Sequence, residues 1–405
     1  MVLENPVADI VSARLFIRAG TTLETSPNAG LVSFLMGLLT KGTETQSSMA
    51  IAEAVESVGA SLGTDAASDY SVISLKTVSA DFADIFTLAA SLLRQPSFPE
   101  EEIDLERRLT LQHIRSMQEQ PFTLAFNQLR RDMYGDHPYG LPSIGTEASV
   151  AAFTQAQLVD FHRQYFRPSQ VVITVVGRIT PETVLDQIQR TLGDWQVPPV
   201  SNITPGAALV PGQGLCSTIA QETNQAIVMV GYPGAAVKHP AYPALKLLNT
   251  YLGNGLSSRL FVELREKRGL AYDVSAFYPT RLGLSQFVAY MGTAPDNTAT
   301  ALEGLRFEVE RLRHTVLSDE ELQAAKNKLL GQYALGKQTN AQIAQLLGWY
   351  EILGLGIEFD QQFQEMVSAV TAAEVEAVAQ EFFQNPCISL LGPEAAIRPV
   401  AEAQT

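Results

Sequence analysis

The chain has 405 residues, 46% hydrophobic and 18% charged, with a formal net charge of −15. That length suits two domains, and the composition is globular rather than disordered. The acidic balance argues against a nucleic-acid binder, which must neutralise phosphates with Lys and Arg. It would suit a cationic partner such as a basic peptide, but on charge alone the favoured reading is a soluble acidic protein kept monodisperse by its charge.

Cys216 and Cys387 lie far apart without C-x-x-C spacing, so neither a disulfide framework nor a thiolate metal site is expected. No run of about eighteen apolar residues occurs, so no membrane span is expected. The opening MVLENPVADI lacks a basic segment and a long apolar one. It therefore does not read as a signal peptide, and the expected address is cytoplasmic.

Residues 7–19 read as a strand, and 31–39 as a buried helix ended by Lys41-Gly42-Thr43. A serine-capped helix follows over 48–58, stopped by Gly59, then two strands over 60–66 and 70–78. Residues 81–93 read as a helix with Asp81 as its cap, and Ser97-Phe98-Pro99-Glu100 opens a longer helix to about 119. Another helix runs over 121–134, then a loop over 135–140, a helix over 154–165 and a β-branched strand over 171–176.

The Pro- and Gly-rich stretch 198–214 is the expected linker, giving domains 1–197 and 215–405. The halves repeat. Phe153-Thr154 to Leu158, then Gln164-Tyr165-Phe166 and an apolar strand to Gly177, resemble Val370-Thr371 to Val375, then Glu381-Phe382-Phe383 and a strand to Gly392. The helix start at Phe98-Pro99-Glu100 likewise resembles Leu317-Ser318-Asp319. Two matches in the same order point to a duplicated domain. The expected fold class is α+β, with each domain a largely antiparallel sheet flanked by helices.

The densest cluster of usable side chains is 255–272, GLSSRLFVELREKRGLAY. Its apolar steps predict a helix capped by Ser257 or Ser258 and stopped by Gly269, with a strand over 271–277. Arg265 falls in the last turn and Tyr272 just beyond the stop, so both can be aimed at one point. On spacing alone, a surface ion pair for Arg265 and a core aromatic for Tyr272 are the favoured account.

This stretch resembles the C-terminal-domain signature of the M16 family of zinc peptidases, the pitrilysin and mitochondrial-processing-peptidase type. The stretch 30–43, GLVSFLMGLLTKGT, is similar in frame to the N-terminal signature, and the likeness covers nearly the whole chain. Catalytic members carry H-x-x-E-H on this helix: two histidines bind zinc and the glutamate activates the bound water. Here Ser33, Met36 and Gly37 stand at those three positions. The family's third ligand is a glutamate on a later helix. The resemblance puts His113 at that position and keeps Glu106 as the supporting carboxylate.

The resemblance thus implies a degenerate zinc site and no metal in this chain. It makes Arg265 and Tyr272 the pair that acts on substrate, in trans to a partner subunit carrying H-x-x-E-H and zinc. The implied function is the non-catalytic subunit of a heterodimeric zinc peptidase acting on oligopeptides, inactive alone. The alternative is a structural or peptide-holding chain with no role in catalysis. The segment 61–66 resembles the family's edge strand, on which an extended peptide adds. No G-x-S-x-G elbow or P-loop occurs, and Ser257 and Ser258 have no adjacent histidine.

Overall fold

The computed structural model describes residues 1–197 and 212–404. The first sheet is built from β1 (Val2–Glu4), β2 (Val11–Ile17), β3 (Ser61–Ala66), β4 (Ser71–Thr77) and β5 (Val171–Gly177). Its order is β1-β5-β2-β4-β3, with β1 parallel to β5 and every other pairing antiparallel. The second sheet uses β6 (Cys216–Ala220), β7 (Ala226–Gly234), β8 (Ala271–Phe277), β9 (Ser285–Thr293) and β10 (Cys387–Gly392). Its order, β6-β10-β7-β9-β8, repeats the first strand for strand, again with one parallel pair. The duplication read from the closing helices therefore extends to sheet topology.

Strand alternation decides what each face of the first sheet buries. On β2, Val11, Ala13, Leu15 and Ile17 enter a core with Leu35, Phe86 and Leu92. Arg14 and Phe16 point the other way. The helix Asn340–Ile352 lies on that second face, against β2 and β5. Gly348 permits the contact, since a Cβ there would lie 2.1 Å from the Phe16 ring. Thr174 Oγ1 donates to the Ala344 carbonyl at 2.8 Å.

The second sheet is covered in the same way by the helix Pro121–Tyr134, on β7 and β10. Ala125 and Leu129 are fully buried there, and Gly231 on β7 leaves room for Met133. Each compact unit thus borrows a segment from the other half of the sequence. The first takes Ala334–Asp360 and the second takes Arg115–Leu141. Of the expected linker 198–214, residues 198–211 lie outside the described residues.

Most local signals behave as their chemistry requires. Thr154 and Thr371 each close a capping box with the residue three further on. The first long strand starts at Val11 rather than residue 7. Ser47, not Ser48, caps the helix Ser48–Glu56. The Asp81 side chain makes no capping hydrogen bond, because a 3₁₀ turn over Ser79–Asp81 already leads the chain into its helix. Among the described residues no helix is long and apolar enough to cross a membrane.

Candidate functional site

In the first unit, the helix Leu31–Leu38 starts without a side-chain cap from its own Gly30. Glu24 supplies it instead: its carboxyl oxygens accept from the Gly30 and Val32 backbone N–H groups at 2.9 and 2.8 Å. Burial pushes this carboxyl up to about 8, although both backbone hydrogen bonds pull the other way. Sequence reasoning missed Glu24. The available signal was an acidic residue six positions ahead of a glycine that cannot cap its own helix.

The Leu31–Leu38 helix places Ser33 beside the helix Glu100–Gln118, which carries Glu106 and His113. Ser33, Glu106 and His113 line one cleft of about 350 Å³, together with Phe34, Leu109, Thr110 and Ile144. Glu106 and His113, seven residues apart on that helix, therefore share one face.

The cleft does not fit zinc. The Ser33 hydroxyl donates to the Ser143 carbonyl at 2.7 Å. Met36 is 1% exposed and belongs to the core, while its carbonyl accepts from Thr64 Oγ1 on β3. Gly37 has no side chain, and Glu106 lies in the space that one would take. His113 is exposed. Among the described residues no three His, Cys, Asp or Glu side chains gather as a metal site would require.

In the second unit the 255–272 stretch is not the regular helix its apolar steps predict. Phe261–Glu266 forms a single π-helical turn. Apolar steps of three and four over six residues do not separate that turn from an α-helix, whereas its wider winding re-aims the side chains that follow. Neither serine caps it. Ser257 Oγ lies 3.3 Å from Lys328 Nζ, and Ser258 Oγ is buried without a hydrogen-bond partner. Gly269, at φ 63°, provides the expected stop, since that backbone conformation strains a residue bearing Cβ.

The charges of this stretch divide sharply. Glu308, 1% exposed on the helix Thr298–Glu310, receives Arg259 at 2.8 Å, Arg311 at 3.1 Å and Arg268 at 3.7 Å. Glu263 receives Arg259 at 3.1 Å and Lys267 at 2.8 Å. These contacts fasten the π-turn to its neighbouring helix. Arg265 joins none of them. Among the described residues it has no ion-pair or hydrogen-bond partner; its guanidinium rests 5.0 Å from the Phe261 ring centre.

Tyr272 is 60% exposed and likewise has no hydrogen-bond partner among the described residues. It lies on β8, the edge strand, where the register slips: Ala271 pairs with Thr293 but Asp273 pairs with Gly292. Tyr272 is the extra residue of that β-bulge. A bulge releases one residue from the ladder and turns its side chain out of alternation, a device common at sheet edges and beside active sites.

Comparison with known proteins places these features in a family. Residues 1–147 match the family model described as Insulinase (Peptidase family M16), and residues 152–329 match Peptidase M16 inactive domain. The chain belongs to the M16 peptidase family. An uncharacterized zinc protease of Streptomyces coelicolor is 29% identical to it over 386 residues, covering 94% of this chain and 84% of that protein. The uncharacterized zinc protease YmxG of Bacillus subtilis is 26% identical over 396 residues, covering 97% and 96%.

Among solved structures, a peptidase M16 inactive domain from Pseudomonas fluorescens superposes with a TM-score of 0.88 at 25% identity, covering 97% of this chain and 95% of that one. A protease from Helicobacter pylori gives 0.91 at 20% identity, which speaks for the fold.

Proposed function

We propose that this chain is the non-catalytic subunit of a heterodimeric M16-type zinc peptidase, presenting Arg265 and Tyr272 to substrate held at a partner's zinc site. The carrying observation is the contrast within 255–272. Its other cations are tied to Glu308 or Glu263, whereas Arg265 is left without a partner and Tyr272 stands exposed on a bulge. Exposed donors with no partner in the fold are free to serve a ligand. The inactive-domain match and the misfit of zinc at Ser33, Met36, Gly37 and His113 support the same reading.

In this reading zinc in the partner, carried on H-x-x-E-H, supplies the activated water. Arg265 donates to a peptide carbonyl and holds the chain in register. The Tyr272 phenol donates to the carbonyl oxygen on which charge develops. The substrate is an extended oligopeptide, basic in preference given the net charge of −15, and a processing role in the cytoplasm fits it. A structural or peptide-holding role is the second reading. It is favoured by the unpaired edge of β3, which offers backbone groups to a peptide whether or not cleavage follows.

The test is reconstitution. Purified alone, the chain is expected to hold no stoichiometric zinc and to cleave no peptide. Mixed with an M16 chain carrying H-x-x-E-H, it is expected to restore cleavage. Stoichiometric zinc with chelator-sensitive activity in the isolated chain would overturn the proposal.

A further inference from the structure

The two units are copies, and the same place in each is filled differently. The copies align through their pairings. Val11 on β2 and Ala226 on β7 each pair with a threonine, Thr77 and Thr293. Counting back from those threonines, Ser74 corresponds to Tyr290. Asp65, paired with Val72, corresponds to Phe277, paired with Val288. The covering helices align on their fully buried alanines, Ala344 and Ala125. Ala341 then corresponds to Phe122, and Gln345 to Phe126.

In the second unit these positions make one aromatic cluster. Phe122 meets Tyr290 edge-on at 4.9 Å, and Phe126 meets Phe277 at 5.1 Å. The space between covering helix and outer strands is thus filled from within. In the first unit the four equivalents are Ala341, Gln345, Ser74 and Asp65, and the space is open. A groove of about 500 Å³ runs there, lined by Arg14, Tyr70, Ala341, Gln345, Leu346 and Trp349, among others. Its walls are mainly apolar. Its polar atoms are largely occupied, since Gln345 accepts from Arg14 Nε and is hydrogen-bonded to Tyr70.

We infer that this groove binds an aromatic side chain of a peptide, with a basic residue beside it held at Asp65 and Asp69. The aromatic class follows from the copy, where phenyl and phenol rings occupy the matching space. The basic neighbour follows from charge. Asp65 is exposed on the strand beside the groove, and Asp69 directly precedes Tyr70 of its wall. The inference rests on the peptide-handling reading above, but needs neither a partner subunit nor catalysis.

Trp349 in the groove wall makes it measurable. The chain has two tryptophans, so Trp195→Phe leaves Trp349 as sole reporter. The full chain is titrated with a short peptide containing one Phe flanked by Arg, and with versions carrying Phe→Ala or Arg→Glu. The Phe peptide is expected to shift Trp349 emission and to bind at least about tenfold tighter than the Ala version. The Arg→Glu version is expected to bind more weakly, increasingly so at low salt.

Ala341→Phe with Gln345→Phe installs the second unit's residues in the first. It is expected to abolish the aromatic preference, with a lowered melting temperature because Arg14 and Tyr70 lose the Gln345 amide. If that pair fails to fold, Ala341→Leu serves as the milder filling variant. Equal binding of the Phe and Ala peptides would overturn the inference. So would a preference that survives filling, or a Trp349 shift that follows protein concentration alone and so reports a second copy in the groove. Absence of cleavage by the wild-type reconstituted dimer, with this binding intact, would count against the Arg265 and Tyr272 reading alone.

Discussion

The carboxylate of Glu106 fills the space beside Gly37: a Cβ built on Gly37 would lie 2.9 Å from Glu106 Oε1. Two helices pack through this pair. The relation is conditional, because a carboxylate at the end of a flexible side chain can swing away.

The first prediction follows from that. In a helix interior, Gly costs about 1 kcal/mol relative to Ala. In Gly37→Ala the gain is offset by displacement of Glu106, so stability is expected to change by less than about 1 kcal/mol. In a Glu106→Ala background the obstacle is gone, and Gly37→Ala is expected to stabilise by the full ~1 kcal/mol. Denaturant unfolding of the four proteins gives the coupling. Strict additivity would mean that Glu106 does not occupy this space in solution.

Arg265 and Tyr272 separate from their neighbours by what their loss does. Both are exposed and make no hydrogen bond among the described residues, so Arg265→Ala and Tyr272→Phe are expected to leave the melting temperature unchanged. In a reconstituted peptidase, Tyr272→Phe is expected to lower kcat by about 100-fold or more with little change in KM, and Arg265→Ala to raise KM. Glu308→Ala leaves Arg311 without its carboxylate and Arg259 with Glu263 alone. It is expected to cost roughly 2–4 kcal/mol of stability, the lower part of the usual range because solvent reaches the arginines. Equal kinetic effects from all three with equal destabilisation would reduce Arg265 and Tyr272 to structural residues.

Glu24 gives a pH signature. Its carboxyl, pushed up to about 8 by burial, holds a proton in the fold that an unfolded glutamate releases near pH 4.3. The folded state therefore binds more protons between those values, and stability falls as pH rises through the window, levelling off above about 8. His162 acts oppositely. Burial lowers it to about 4, so its contribution falls as pH drops from about 6.5 towards 4. The two overlap below about pH 6.5, and between about pH 6.5 and 8 Glu24 is opposed by the N-terminal amine, which burial lowers from 8.0. Thermal unfolding is expected to show a decline over that upper range which Glu24→Gln flattens. A slope unchanged in Glu24→Gln would assign it to other groups.

Much of this was legible because the signals are local. The capping boxes at Thr154 and Thr371, the glycine stop at Gly269 and the strand over 271–277 each depend on a few adjacent residues. The π-turn was not legible, since its apolar spacing also suits an α-helix over so short a run. Nor was the bulge at Tyr272, which is defined by its partner Gly292 some twenty residues away. The selection of Arg265 by exclusion was hidden as well, because it turns on Glu308, forty-three positions further on. The groove needed both copies in register before its missing aromatics could be noticed.

The destination of the helices Pro121–Tyr134 and Asn340–Ile352 was the least legible feature, and it carries the last prediction. The periodicity of Pro121–Tyr134 gives it an apolar side whereas Asn340–Ile352 has none, and neither pattern shows that each helix covers the sheet of the other sequence half. At Gly348 the neighbour is the fully buried Phe16 ring at 2.1 Å, which cannot swing away as Glu106 can. Gly348→Ala is therefore expected to destabilise by about 1–2 kcal/mol despite its gain in helix propensity. A chain of residues 1–197 alone lacks this helix and leaves Phe16 and Val72 facing water. It is expected to show no cooperative thermal transition by circular dichroism. Adding a peptide spanning 334–360 in trans is expected to restore one, because that segment belongs to the same compact unit. A sharp transition of 1–197 without the peptide would mean that the sheet is stable with that face bare, and that the exchanged helix covers it without holding it.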